Sequence, residues 1–540
     1  MFDAPGALES SLAELPVSKG FSLALKGFSL TSEGAAVLCR VLEKRADSLG
    51  ELELNSISFE SDSVLPRVLS ACFSSSRLRV LRLCSLNLSA CFESLQELIE
   101  SVSSLQSMDI QNCDFGAPGI RPFCRTLKSN TSLLHLGLGS VRASDARSEC
   151  IGKMIRFSKG LVYLDLWSSG ISAPGMRSIV EGLKLTSALE CLVLKGNSSI
   201  GETGAEILAD AIRLHPALAY LDLEDCGLRD RGARAIFAAS AISRSLQHLN
   251  MSDNGISDDS LFHYAESIER VDFRLVSLKL NANFITSKSF VSFCQACARA
   301  KARQALCLQR LEIQGNKVSD DGMASLDFLL DSPSLAFLQL GANQISGSGI
   351  LMAVPSLSIN SSLKALHLNG NCIGSEGAFA LCGALKGNSS LEVLGLGGSL
   401  IGDVGAVAVA DLLGSRGNSI AHLNLWDNNI SSIGAKALAR SFEISTSISF
   451  VDLWNNRIGD DGAKAVALAV VRNPMIIDLS MNYPSEKFSQ GVSQVLSRNR
   501  EIQRRLKKVC FLIAAKRLCF GWSMFDKHIV RAIWEFSDIK

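Results

Sequence analysis

A leucine-rich unit of about 28 residues recurs from near Gly20 to near Asn482 and takes up almost the whole 540-residue chain. The clearest copies read LKALHLNGNCIGSEGA (Leu363–Ala378), LEVLGLGGSLIGDVGA (Leu391–Ala406), IAHLNLWDNNISSIGA (Ile420–Ala435) and ISFVDLWNNRIGDDGA (Ile448–Ala463). About seventeen units align, the last of them placed at Pro474. A fixed period of this length implies a solenoid, because each unit can bury its apolar face only against its neighbours. Stacked units then share one continuous core, and chain length stops being a count of globular domains.

The unit at Leu363 shows how each copy should fold. Leu363, Leu366 and Leu368 form a short strand with its leucines inward and the intervening residues outward. Asn371 follows, an asparagine suited to satisfying backbone groups of the turn that leaves the strand. The Gly374–Ala378 corner then permits a tight turn and a close helix start. The helix carries Leu381, Ala384 and Leu385 on one face and ends near Gly387-Asn388. The expected fold is α/β: a strongly curved solenoid or horseshoe, with a parallel sheet on the concave face and helices on the convex face. Residues 1–19 are expected to form an N-terminal cap, 20–484 the repeats, and 485–540 a helical C-terminal cap or a docking hairpin. The units at Leu78 and Leu133 lack the glycine corner, and the unit at Leu275 has an enlarged helix. Such departures mark irregular or capping regions, or an interaction site on the outer face.

The strand–helix unit with its Asn-x-Ile-Gly-x-x-Gly-Ala signature resembles the ribonuclease-inhibitor class of leucine-rich repeats, over roughly residues 20–484. That class includes ribonuclease inhibitor, Ran GTPase-activating proteins, tropomodulin-like actin caps and the sensor arrays of NOD-like receptors. The resemblance implies binding of macromolecules, mostly through the concave face and its rims, and fold analogy does not choose among them. No Gly-x-x-x-x-Gly-Lys-Ser/Thr phosphate loop occurs, the C-terminal end is basic where a Ran GTPase-activating protein has an acidic tail, and the chain is neutral where ribonuclease inhibitor is acidic.

A net charge of +1 gives no global field toward nucleic acid or an anionic membrane. Sixteen cysteines are scattered singly, many at core positions, which suits reduced thiols in the cytoplasm or nucleus. The sequence shows no export signal and no apolar run long enough to span a membrane. Four of the seven histidines fall at concave positions, in units too far apart to share a metal, and Cys294-x-x-Cys297 is a lone pair. No catalytic motif appears, so no enzyme activity, cofactor or metal is expected.

Concave-facing positions are the second, fourth, sixth and seventh after the first leucine of each unit. In two adjacent units these are His422, Asn424, Trp426 and Asp427, then Phe450, Asp452, Trp454 and Asn455. Trp426 and Trp454 share a column, so their rings should lie side by side; exposed tryptophans flanked by acids and amides have the chemistry of an interface anchor. They equally suit simple filling of a tight concave surface. A second cluster holds Tyr163, Asp165 and Trp167, with Tyr220, Asp222, Glu224, Asp225 and Asp253; its acids would steer a basic partner or form a solvated rim. After Pro484, a basic helical stretch at Ser497–Phe520 and a second helix at Asp526–Phe536 cap the last unit, or dock a ubiquitin-ligase subunit in the manner of an F-box-like end; a membrane-surface helix is a third option. The expected function is protein binding on the concave face, with a ligase-adaptor or small-GTPase-activator role as alternatives.

Overall fold

The computed structural model describes residues 21–116, 120–128, 130–141, 145–270, 274–303 and 306–519. The expected N-terminal cap and the helix expected at 526–536 lie outside the described residues. The chain divides into two compact units, Met1–His367 and Leu368–Lys540.

In the first unit, strands alternate with helices and pair in parallel in chain order. They run from Phe21–Lys26, Leu49–Asn55, Val80–Cys84 and Ser107–Gln111 to three-residue strands such as Tyr163–Asp165, Tyr220–Asp222, His248–Asn250 and Phe337–Gln339. Register follows the repeat, with Tyr220 opposite His248, Leu221 opposite Leu249 and Asp222 opposite Asn250. The second unit repeats the scheme with Val393–Gly395, His422–Asn424, Phe450–Asp452 and Asp478–Ser480. Its last strand begins its leucine pattern at Ile476, since Ile476, Leu479 and Met481 fill the buried positions; the start placed at Pro474 is two residues early.

Strand leucines such as Leu221, Leu278 and Leu394 are wholly buried, which is where most of the stabilisation arises. The asparagine after each strand does more than close its own turn. Asn254 donates to Leu223 O (2.7 Å) of the preceding repeat and to Ser252 O (2.9 Å), and its Oδ1 accepts from Cys226 N (3.0 Å) and Leu228 N (3.2 Å). Asn283, Asn316, Asn428 and Asn456 repeat this stitch. Where cysteine replaces asparagine, Cys226 Sγ keeps only the donor half, to Leu194 O at 3.2 Å.

The residue before each of these asparagines takes a left-handed backbone, Asp253 (φ 53°), Ala282 (53°), Gly315 (69°), Asp427 (52°) and Asn455 (57°), as does Asp225 (51°) before Cys226. Asx residues tolerate that conformation best after glycine. The two corner glycines have separate roles. Gly402 needs its φ of 60° to enter the helix, whereas Gly405 is small because a Cβ there would lie 2.5 Å from Ile401 and 3.1 Å from Ala378. In several repeats where the first glycine is missing, Ser or Thr caps the helix and is held by an aspartate of the preceding helix, as in Ser431 N to Asp403 Oδ1 (2.8 Å).

The unit at Leu133 departs from the pattern because its glycines receive neighbouring groups. Gly137 lies under the Asp109 carboxylate and Gly139 under the Trp167 indole; a Cβ on either would overlap them. Gly152, in the helix Asp145–Phe157, touches the Ser178 carbonyl, and Gly182 of the helix Ala173–Leu183 touches the Gly152 carbonyl. In the long unit, Cys294 and Cys297 are fully buried in the helix Ser287–Ala302, and burial pushes the Cys294 thiol up to about 12.

Within the second unit the final helix, Glu486–Cys519, starts well before Ser497. Val492, Leu496 and Asn499 are buried, and Asn499 Nδ2 donates to Val470 O (3.1 Å) and Ile476 O (2.8 Å). Those carbonyls have no following repeat to serve them, so an asparagine takes that place. From Arg504 to Lys508 the same helix is exposed.

Candidate protein-binding surface

Parallel in-register pairing brings equivalent residues of successive repeats together on the sheet face. The second-position residues form ring pairs: in the first unit His135 with Tyr163 (centroids 5.9 Å apart) and Tyr220 with His248 (6.1 Å), and in the second His422 stacked on Phe450 (4.2 Å, 18° between planes). His367 packs diagonally on Phe337 at 5.1 Å. Burial holds His248, His367 and His422 below the usual histidine range, so near neutral pH these rings act as uncharged aromatic partners. All four sheet-face histidines therefore have an aromatic neighbour. The column positions carried that signal in the sequence, once the strands are set in register.

In the second unit the expected anchors divide into two kinds. Asn424 Oδ1 accepts from Trp426 N (3.1 Å) and Asp452 Oδ1 from Trp454 N (3.0 Å), so the fourth-position residue holds the backbone that presents each indole. Asp427 occupies the left-handed turn and accepts from Asn455 Nδ2 at 2.8 Å. The rings are the accessible part: Trp426 is 36% exposed and Trp454 53%. The Trp426 indole lies across Gly397 and Gly398 of the preceding repeat, where any larger side chain would lift it.

The cluster in the first unit is differently built from the open acidic rim that its composition suggests. Asp222, expected to face a partner, is buried; its Oδ1 accepts from Glu224 N (3.0 Å) and Asn250 Nδ2 (3.1 Å). The Tyr220 hydroxyl lies 3.4 Å from its other oxygen. Glu224 is taken up by Lys195 Nζ (2.8 Å) and Asn250 Nδ2 (3.1 Å), and Asp225 and Asp253 are left-handed turn residues. Trp167 is half-buried over Gly139. Most of these carboxylates thus serve the fold, because rings and long side chains on adjacent strands close over them.

Asp165 is buried as well, with Oδ1 accepting from Trp167 N at 3.0 Å. Burial pushes its carboxyl up to about 6, and the neighbouring Asp109 and Asp222 add to the rise. A folded-state value above the unfolded one means that the folded state holds the proton more tightly. Stability from this site therefore falls as pH rises from about 4 to 6, and the full cost is present above that window. Asp165→Asn keeps the acceptor, as Asn250 does in its own strand. It should stabilise the protein by about 2 kcal/mol at pH 7.5 and by almost nothing at pH 4. Thermal melts at the two pH values test this; an equal shift at both would refute it.

A leucine-rich-repeat family model matches residues 217–237, 243–262, 304–326, 360–382, 418–439 and 445–467. Ribonuclease inhibitor of Sus scrofa is 28% identical over 340 residues, covering 62% of this chain and 72% of the inhibitor. This is a ribonuclease-inhibitor-like leucine-rich-repeat protein. The NACHT, LRR and PYD domains-containing protein 14 of Mus musculus is 24% identical over 274 residues, 45% of this leucine-rich-repeat chain and 27% of that protein. Among solved structures, the leiomodin-1 actin-binding site 2 domain is similar at 24% identity with a TM-score of 0.28, covering 31% of this chain and 96% of that one.

One feature of the leucine-rich-repeat sheet has no signature within a single repeat. The Arg310 guanidinium sits over the Phe337 ring at 3.5 Å, and its Nε lies 2.5 Å from the buried Glu312, which also accepts from Asn281 (2.9 Å) and faces Lys279 (3.4 Å). Only the register, which sets Arg310 beside Phe337 and Glu312 beside Lys279, makes this polar knot visible. Among the described residues no group of three or more His, Cys, Asp or Glu side chains is placed to hold a metal, and no helix is long and apolar enough to cross a membrane.

Proposed function

We propose that this protein is a non-enzymatic interaction scaffold that binds another protein on its sheet face, with Trp426 and Trp454 as anchors. His422, Phe450, Asp427 and Asp452 frame them, and a second contact area is supplied by Trp167, Tyr220, Asp222 and Glu224. The observation that carries the reading is the exposure of two indoles on paired strands, each presented by a backbone that a carboxylate or amide fixes from below. Rigid presentation lowers the ordering cost of binding, and tryptophan combines large apolar area with a donor. Repeats of this kind generally mediate protein–protein contacts, and one relative is by name an inhibitor of a ribonuclease. In the first area the support is the aromatic rings, since Asp222 contributes from beneath them. We place the protein in a reducing compartment, the cytoplasm or nucleus, on its single buried thiols such as Cys124 and Cys382.

The test is affinity capture from lysate, with the wild-type chain and the Trp426→Ala/Trp454→Ala double variant as baits. Removing two such anchors should cost roughly 2 kcal/mol or more of binding, about thirtyfold in affinity. Both baits should melt within a few degrees of each other, because the rings are half in solvent. A captured set unchanged by the double substitution, with both baits folded, would refute the anchor assignment.

A further inference from the structure

The helix side of the second unit carries a surface that the repeat itself does not require. The helices Gly374–Leu385, Gly402–Leu413 and Ser432–Ile444 pack side by side. Their outward faces expose Phe379 (66%), Val404 (63%), Val407 and Ile433 (68%). A solenoid supplies its own control, since every other helix shows what the same position holds when only solvent faces it. The position just before the small buried residue of the helix is charged in most other repeats, as at Arg231, Asp259, Lys288, Glu376 and Asp461, and is Pro174, Thr203 or Ser348 in others. In two adjacent repeats it is Val404 and Ile433. Nothing in the core needs them there, because each points away from the sheet. Ile444 adds no weight, as Leu214 and Ile242 are exposed at the same place in other repeats.

Val407 and Ile433 line an open groove together with Ala410, Gly414, Ala437 and Ser441, and Val404 lies one helical turn before Val407 on the same helix. Small residues along a groove between helices leave room for ridges of another helix. Its charged lining is Lys386, Lys436 and Arg440 against Asp411 alone. Lys436 reaches Asp461 at 3.3 Å across solvent, while Lys386 and Arg440 have no ion-pair partner among the described residues. An apolar strip flanked by excess positive charge selects an occupant with the opposite pattern.

We propose that this groove is a second docking site, distinct from the sheet face, for an acidic amphipathic helix of a partner protein. Its apolar side chains, at i, i+3, i+4 and i+7, seat on Val404, Val407 and Ile433, and its carboxylates face Lys386 and Arg440. Because the two surfaces lie on opposite faces of the same repeats, a client on the sheet leaves the groove free.

The test pans a random 16-residue peptide library displayed on phage against the full chain. Selected sequences should be enriched in Asp and Glu, with apolar residues at helical spacing. Synthetic copies should bind with an affinity that falls as salt rises. Val404→Asp/Ile433→Asp and, separately, Lys386→Glu/Arg440→Glu should each weaken them tenfold or more, while the melting temperature stays put. The charge-reversed variant should instead select Lys- and Arg-rich sequences. Enrichment of basic or uncharged peptides on the wild type, or binding indifferent to both variant pairs, would overturn the proposal. So would concentration-dependent self-association abolished by Val404→Asp/Ile433→Asp, since a second copy would then be the occupant.

Discussion

Gly152→Val should destabilise the protein by about 3 kcal/mol or more, with the damage confined to the helices Asp145–Phe157 and Ala173–Leu183. The two helices meet backbone to backbone, Gly152 against the Ser178 carbonyl and Gly182 against the Gly152 carbonyl. A backbone carbonyl cannot rotate aside as a flexible side chain can, so the helices must separate and lose their packing. Alanine makes the sharper test. In an exposed helix interior Gly→Ala gains roughly 1 kcal/mol of propensity, and Gly383→Ala should show that gain because nothing lies within 4 Å of its added Cβ. Gly152→Ala should lower the melting temperature instead. Hydrogen exchange should quicken in both helices for the Gly152 variants and stay unchanged at 402–444. Shifts of the same sign for Gly152→Ala and Gly383→Ala would mean that the helices give way at little cost.

Asn254→Ala should cost a similar amount or more, about 3–5 kcal/mol. The side chain serves two backbone carbonyls and two backbone N–H groups, all buried and spanning consecutive repeats. Alanine leaves Leu223 O, Cys226 N and Leu228 N without this partner, while Ser252 O keeps the Asp225 N–H (3.1 Å), and each unsatisfied buried group is penalised by about 1–3 kcal/mol, less what local relaxation recovers. Asn254→Cys should fall between wild type and alanine. Cysteine at the equivalent place in the preceding repeat keeps a donor contact, Cys226 Sγ to Leu194 O, but supplies no comparable acceptor. The measurement is thermal unfolding of the three chains, with exchange followed in the turns around 226–228 and 252–256. Asn254→Cys as damaging as Asn254→Ala would show that the donor half is worth nothing.

The candidate surface was only partly legible in the sequence. Trp426 and Trp454 could be assigned to one column from spacing alone, and the structure leaves both rings accessible. Asp222 could not be read that way. Alternation places it outward, yet Tyr220 and Asn250 close over it and turn it into a backbone clamp. Glu224 is likewise outward but paired with Lys195. The glycines of the unit at Leu133 read as a degenerate repeat, and they are sockets for Asp109 and Trp167, residues 28 positions away on either side. The apolar run of Val404 and Ile433 was in plain view, but an apolar residue on a helix reads as core until the packing shows which way it points.

What the sequence by itself determined is everything that repeats. The leucine period sets strand and inward face, the asparagine marks the turn, the glycine–alanine corner starts the helix, and their recurrence makes the solenoid, because each of these is a local rule acting within one unit. Only the tertiary structure decided which outward residues stay outward. In a parallel repeat the nearest neighbour of a side chain lies about 28 residues away on the next strand. Whether it is covered, paired or free depends on the size and charge of that neighbour, and no pattern within a single unit contains that information.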